Sequence, residues 1–427
     1  MIALVKSETT TPSRQDLDVI KLDTGVTLVH KQIPSSEVVV ADVWMNVGVV
    51  CEPESWSGIS HFLEHMIFKG TKRILPGDFD YLVESSGGCT NAATSYDYTR
   101  FFLATATDYF AKTLPYLAEI LLAAEIAEEE FYLEREVVLE EIRCSHDDIE
   151  WLIFQTVNST LYQFHPYGRS VLGEEANLLQ TTPNQMRCYH KTYYQPENVN
   201  VVIVGNISRE ESIFLVENCF RDFSVPSECP PVIIDSEPPL VDIRRQRLYL
   251  PFLENSRLVM AWMGPGVEDL EGAIGLDILS IILAGGRTSR LVRRLRDEKG
   301  LVFDVSAQFS LQKHSSLFTI TAHLKENSGE RIEEIIREEI YRLHNQPVTI
   351  AELKNAQRNL CHDYIFCTET PEQLAGLYGY YQILEDARLA LKYPHIVRSF
   401  VPEKLQRVAQ QYLSPEYYVV CEFYPCN

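Results

Sequence analysis

The sequence predicts an α+β fold assembled from two copies of one unit, each a sheet covered by helices. Three observations carry this. The chain of 427 residues exceeds what a single hydrophobic core organises, so two domains of about 200 residues each are expected. A proline-dense stretch lies near its middle. The order of strand-like and helix-like patterns before that stretch recurs after it, the mark of a long internal repeat.

In the first half, residues 38–49 (VVVADVWMNVGV) form a β-rich run, followed by an acidic turn with Glu52 and Glu54 and a helical pattern over 58–68. Ser86-Gly87-Gly88 signals a turn, and Leu, Ile and Ala periodicity makes residues 110–143 read as helical. The segment YYQPENVNVVIVGN (193–206) is read as a strand that closes this half. Residues 225–241 (VPSECPPVIIDSEPPLV) hold five prolines, which disfavour helix and favour an extended linker. The domains are therefore placed at 1–224 and 242–427.

The second half repeats the plan. Residues 257–266 (RLVMAWMGPG) precede an acidic turn with Glu268 and Asp269 and a helical pattern over 273–283. Trp262-Met263 matches Trp44-Met45. Ala284-Gly285-Gly286 marks a turn, helical patterns follow over 328–343 and 351–366, and YLSPEYYVVCEFYP (412–425) ends the half with a strand.

Composition narrows the function classes. Hydrophobic residues at 45% and charged residues at 23% are those of an ordinary globular protein. No apolar run approaches the roughly 18 to 20 residues of a membrane span, and residues 1–14 lack the apolar stretch of a secretory leader. A net charge of −22 disfavours nucleic acid and anionic membranes and favours cationic ligands. Ten cysteines show no C-x-x-C pair; several, such as Cys89, Cys219 and Cys421, lie among apolar or small neighbours, as free thiols do in a reducing compartment. A soluble, cytoplasmic protein is expected.

His61-Phe62-Leu63-Glu64-His65 places two imidazoles four residues apart in a helical stretch, about 40° apart around the axis. Two neutral imidazoles so spaced can share one Zn²⁺, with Glu64 beside them where a general base for a water is required. Against this stands a reading of the histidines as surface residues. Flanked by apolar Phe62, Leu63, Met66 and Ile67, they would then be partly buried to no purpose. A catalytic zinc needs a third protein ligand and an open position, and the acidic helix over 127–143 offers carboxylates. Glu134 and Glu141 lie two turns apart on one face, so one can ligate while the other orients a ligand. Composition does not choose between them, nor exclude Glu136 or Glu140, and such acidic runs are often only solvated faces.

Taken together, these segments resemble the pitrilysin-type inverted-zincin metallopeptidases, which include mitochondrial processing peptidase and its short bacterial relatives. The resemblance rests on GISHFLEHMIFKGT (58–71), GGCTNAATS (87–95), EREVVLEEI (134–142), HPYGRSVLG (165–173) and RTSRLVRRLRDEKGL (287–301). It implies a zinc endopeptidase whose homologous domains, each a mostly antiparallel sheet covered by helices, form half of a clamshell around a peptide chamber. It further implies that Glu141, 76 residues after His65, is the third zinc ligand, with Glu134 behind it. Asn91 and Ala92 are implied to lie on an edge strand to which a peptide adds.

The resemblance also implies that a C-terminal domain supplies an arginine, and a tyrosine seven residues later, to substrate at a zinc site. Arg296 is present, but position 303 is Phe303, which has no hydroxyl to donate. A heterodimer is therefore expected, with a related partner supplying the Arg and Tyr; a homodimer using Arg296 is the alternative. Non-catalytic peptide-binding subunits also occur in the family, but here the set of His61, Glu64, His65 and Glu141 is intact. A small-molecule zinc hydrolase would need a closed apolar pocket, against which the expected peptide edge at 87–92 argues.

Overall fold

A computed structural model of the chain describes residues 17–325 and 328–426. The first sheet has six strands in the order β1 (Asp18–Lys21), β2 (Thr27–Gln32), β6 (Val199–Gly205), β3 (Val38–Met45), β5 (Thr99–Ala106) and β4 (Cys89–Thr94). The second has five, in the order β7 (Arg244–Leu250), β11 (Val419–Pro425), β8 (Arg257–Pro265), β10 (Ser315–Leu324) and β9 (Val302–Leu311). In each sheet one pair is parallel, β2 with β6 and β7 with β11, and the other pairings are antiparallel. Strand order and direction from β2 to β4 thus match those from β7 to β9. Trp44 and Trp262 sit on β3 and β8, the middle strands of the two repeats.

Period-two side-chain alternation explains why the inner strands read as unbroken apolar runs. On β3, Val39, Ala41, Val43 and Met45 face a core shared with the helices of the first half, whereas Val40 and Trp44 face the opposite way. That opposite face is covered by helix Pro371–Leu384, from the second half of the chain, through Ala375, Tyr378 and Tyr381. Reciprocally, helix Ile149–Leu161 lays Ile153, Val157 and Leu161 against Val259, Ala261 and Val419 of the second sheet. Each half lends one helix to the other. At Gly379 a Cβ would stand 2.0 Å from Trp44 Nε1, so only glycine allows this helix to approach the first sheet so closely.

Three expectations are corrected. The helical pattern over 110–143 is two helices, Thr107–Ala123 and Glu128–Ser145, because the chain turns between them with Ile126 buried at φ +50° and Glu125 N–H donating to Gly70 O. Apolar spacing on either side conceals the break. The strand Val199–Gly205 does not end the first half: helix Arg209–Cys219 follows, its start capped by Ser208 Oγ accepting from Glu211 N–H. Cys89 is exposed on the outer strand rather than packed as a small hydrophobe, while Cys421 is buried. Residues 221–243 carry neither helix nor strand. No described helix is long and apolar enough to cross a membrane, and the reading of residues 1–14 lies outside the described residues.

Candidate metal centre

Helix Ile59–Ile67 begins where Gly58, at φ +89°, turns the chain inward. A Cβ on Gly58 would meet Leu172 O at 2.7 Å and Gly173 Cα at 2.8 Å, so the segments around 58 and 173 touch through their glycines. The buried carboxylate of Glu52 caps the helix, accepting from Gly58 N–H at 2.9 Å and Ser60 N–H at 2.8 Å. Burial pushes the Glu52 carboxyl up to about 7, against the pull of those two donors and of Arg169. Ser60 Oγ and Tyr189 Oη, 2.8 Å apart, link this helix to helix Pro183–Tyr193.

His61 and His65 lie one turn apart with ring centroids at 4.8 Å, set edge to face. Glu141, half-exposed on helix Glu128–Ser145, brings Oε2 to 3.6 Å from His61 Nε2 and 3.5 Å from His65 Nε2. Ligand atoms of His61, His65 and Glu141 all lie within 4.8 Å of one another. Glu136 and Glu140 instead point outward to Arg135 and Arg143. Glu134 is buried, and its Oε1 accepts from His65 Nδ1 at 2.9 Å while Lys69 Nζ holds its other oxygen at 2.5 Å.

The donor chemistry fits a divalent cation. With Nδ1–H given to Glu134, His65 presents the Nε2 lone pair to the cluster. Burial, with His65 nearby, depresses His61 to about 3, so its ring stays neutral and able to ligate. Its Nδ1 is buried without a hydrogen-bond partner among the described residues. Burial also pulls His65 downward, but the Glu134 hydrogen bond and the charges of Glu141 and Glu64 outweigh it and raise that group. Two imidazoles and one carboxylate form a donor set used by catalytic zinc.

Glu64 is buried beside this cluster, and burial raises its carboxyl above the usual range. Thr94 Oγ1, on β4, donates to Glu64 Oε2 at 2.5 Å. Among the described residues β4 pairs only with β5, which makes it an edge strand; Asn91 and Ala92 lie on it, and Asn91 Oδ1 accepts from Ala92 N–H at 2.9 Å. Arg296 lies in the second half, on the π-helical segment Val292–Glu298, with its guanidinium on Asp297 rather than on the cluster. Phe303 is 53% exposed on β9, with Lys325 Nζ 5.7 Å above its ring. Glu52, Lys69 and Thr94 went unassigned in the sequence reading. The first stood out only as part of an acidic turn and the third only as a letter in GGCTNAATS.

The chain resembles known proteins in both sequence and fold. Residues 27–175 match the family described as Insulinase (Peptidase family M16), and residues 180–360 match the one described as Peptidase M16 inactive domain. The chain is 30% identical over 379 residues to the zinc protease PqqE of Helicobacter pylori, covering 88% of this chain and 85% of that one. It is 27% identical over 397 residues to YmxG of Bacillus subtilis, described as an uncharacterized zinc protease, covering 92% and 95%. A crystal structure of a protease from Helicobacter pylori superimposes with a TM-score of 0.89 at 27% identity, over 96% of this chain and all of the other.

Proposed function

On the premise that this chain belongs to peptidase family M16, we propose that it is a zinc-dependent endopeptidase subunit that hydrolyses peptide bonds in extended, unfolded peptides. The observation that carries the reading is the convergence of His61, His65 and Glu141 from two helices, with Glu64 alongside. These three would hold Zn²⁺, which when bound supplies Lewis acidity toward a water and toward the scissile carbonyl. Glu64 takes the proton of the attacking water and returns it to the departing amine. Its raised pKa suits both roles, and Thr94 fixes one carboxylate oxygen so that the other can carry the proton.

Substrate adds to edge strand β4 as a further strand, along Asn91 and Ala92. The Thr94 to Glu64 bond ties that edge to the base. Strand addition selects extended backbone more than side chains. The net charge of −22 favours cationic peptides. Phe303 offers no hydroxyl, and loss of one such donor costs about 2.7–4 kcal/mol of transition-state stabilisation. A related partner chain supplying an arginine and a tyrosine therefore completes the site as a heterodimer.

The description of residues 180–360 as an inactive domain favours a second reading, a non-catalytic peptide-binding subunit. The metal-site residues all precede that region, in the part matched to the insulinase description. The test is hydrolysis of a quenched fluorescent basic peptide, with zinc assayed, by the chain alone and mixed with a related chain carrying R-x6-Y. Glu64→Gln should keep its metal and lose roughly 100-fold or more of the rate. A wild-type rate in Glu64→Gln overturns the base assignment, and full activity of the chain alone overturns the heterodimer. Zinc without activity in either arrangement leaves the binding subunit.

A further inference from the structure

The proline-dense segment between the halves is held along helix Pro183–Tyr193, running opposite to it. Gln195 Nε2 donates to Ser224 O at 2.9 Å, Thr192 Oγ1 to Ser227 O at 2.6 Å, and Cys188 Sγ to Glu228 O at 3.3 Å. At the end of this ladder Cys188 Sγ stands 3.1 Å from Cys229 Sγ. That separation is about 1 Å longer than a disulfide bond, and both residues are half-buried, within reach of a small reagent. Pro230 and Pro231 follow at once and restrict the backbone to extended forms, so Cys229 loses little further freedom on being tied down.

Neither sulfur belongs to the metal centre, and cysteine spacing in the sequence offers no sign of the pair, which is 41 residues apart. We propose that Cys188 and Cys229 form a reversible dithiol–disulfide site that clamps the inter-half segment to this helix, with a low-molecular-weight disulfide as oxidant. One protein thiolate attacks a sulfur of glutathione disulfide, forming a mixed disulfide and releasing one glutathione thiolate. The second protein thiolate attacks the protein-side sulfur and releases the other glutathione. Two protein thiols are oxidised and one glutathione disulfide is reduced to two thiols.

The clamp has a defined reach. Further along, Glu237 is already fixed, accepting from Phe164 N–H at 2.8 Å, His165 N–H at 3.1 Å and Arg244 at 3.3 Å. A disulfide at Cys229 leaves a short span between two anchors, in which Ile233 is 81% exposed. It also ties that segment to the residue before Tyr189, whose hydroxyl meets Ser60 at the start of the metal helix.

The experiment equilibrates the full chain in glutathione buffers of increasing oxidised fraction, alkylates the remaining thiols and maps the peptides by mass. The expected result is a Cys188–Cys229 cross-linked peptide as the major oxidised species, reversed by dithiothreitol and absent from Cys188→Ser and Cys229→Ser. Limited proteolysis within residues 230–236 should slow several-fold in the oxidised wild-type chain and not in either variant. Alkylation of both cysteines at every ratio overturns the proposal. So does a product dominated by glutathione adducts or by links to other cysteines such as Cys219.

Discussion

His65 Nδ1 and Glu134 Oε1 are joined by a 2.9 Å hydrogen bond that sets which nitrogen of His65 faces Glu141. Glu134 can hold this position because Lys69 neutralises its second oxygen; although burial pushes the carboxyl upward, His65 and Lys69 outweigh it and keep Glu134 below the usual range. Glu134→Ala frees the imidazole to rotate and to exchange tautomers. Zinc affinity, measured by chelator competition, should fall roughly 10–100-fold with the fold intact. Unchanged affinity would remove Glu134 from the support of the metal.

Glu52 is the second such support. Its carboxylate satisfies two N–H groups at the start of helix Ile59–Ile67, neither of which has another acceptor among the described residues. Glu52→Ala leaves buried donors unpaired, at a cost of about 1–3 kcal/mol in urea denaturation. Glu52→Gln, which keeps an acceptor, should recover part of that loss. Equal stability of Glu52→Ala and wild type would show that water takes over the cap.

Gly379 tests the exchange of helices between the halves. Alanine there drives a methyl into the Trp44 indole, and the whole helix Pro371–Leu384 must retreat from the first sheet. Overpacking of this kind costs about 1–3 kcal/mol, read as a lower denaturation midpoint. The loss should appear in the tryptophan signal and in far-ultraviolet dichroism together, since the helix belongs to one half in sequence and covers the other. A wild-type midpoint would show that the contact is easily relieved.

What was legible in the sequence follows from range. His61, Glu64 and His65 are local, and helical period alone places them on one side. Glu141 needed the resemblance, because nothing in an acidic helix marks which carboxylate faces a second helix until Glu136 and Glu140 are seen turned outward. Thr94 and Glu52 act through contacts 30 and 8 residues away, set by tertiary packing that no periodicity encodes. The apolar runs at β3 and β8 marked strands, but burial on both faces emerged only with the fold. They could not say that the second cover comes from the other half of the chain. The break at Ile126 was hidden because apolar spacing continues on both sides of it.

His190 makes the acid limb of stability predictable. It is buried, and its Nε2–H donates to Leu121 O at 2.7 Å, an arrangement the neutral ring satisfies. Burial depresses it to about 4, so as pH falls the unfolded chain takes up this proton first, near 6.5. The associated stability is fully present above the unfolded value and is lost as pH falls from there through about 4. Between about pH 7.5 and about pH 5 the loss amounts to about 2 kcal/mol. His190→Gln retains an N–H donor for Leu121 but does not titrate. Urea denaturation at both pH values should show a smaller drop for the variant by that amount, and equal drops would mean that the ring gains a partner on protonation.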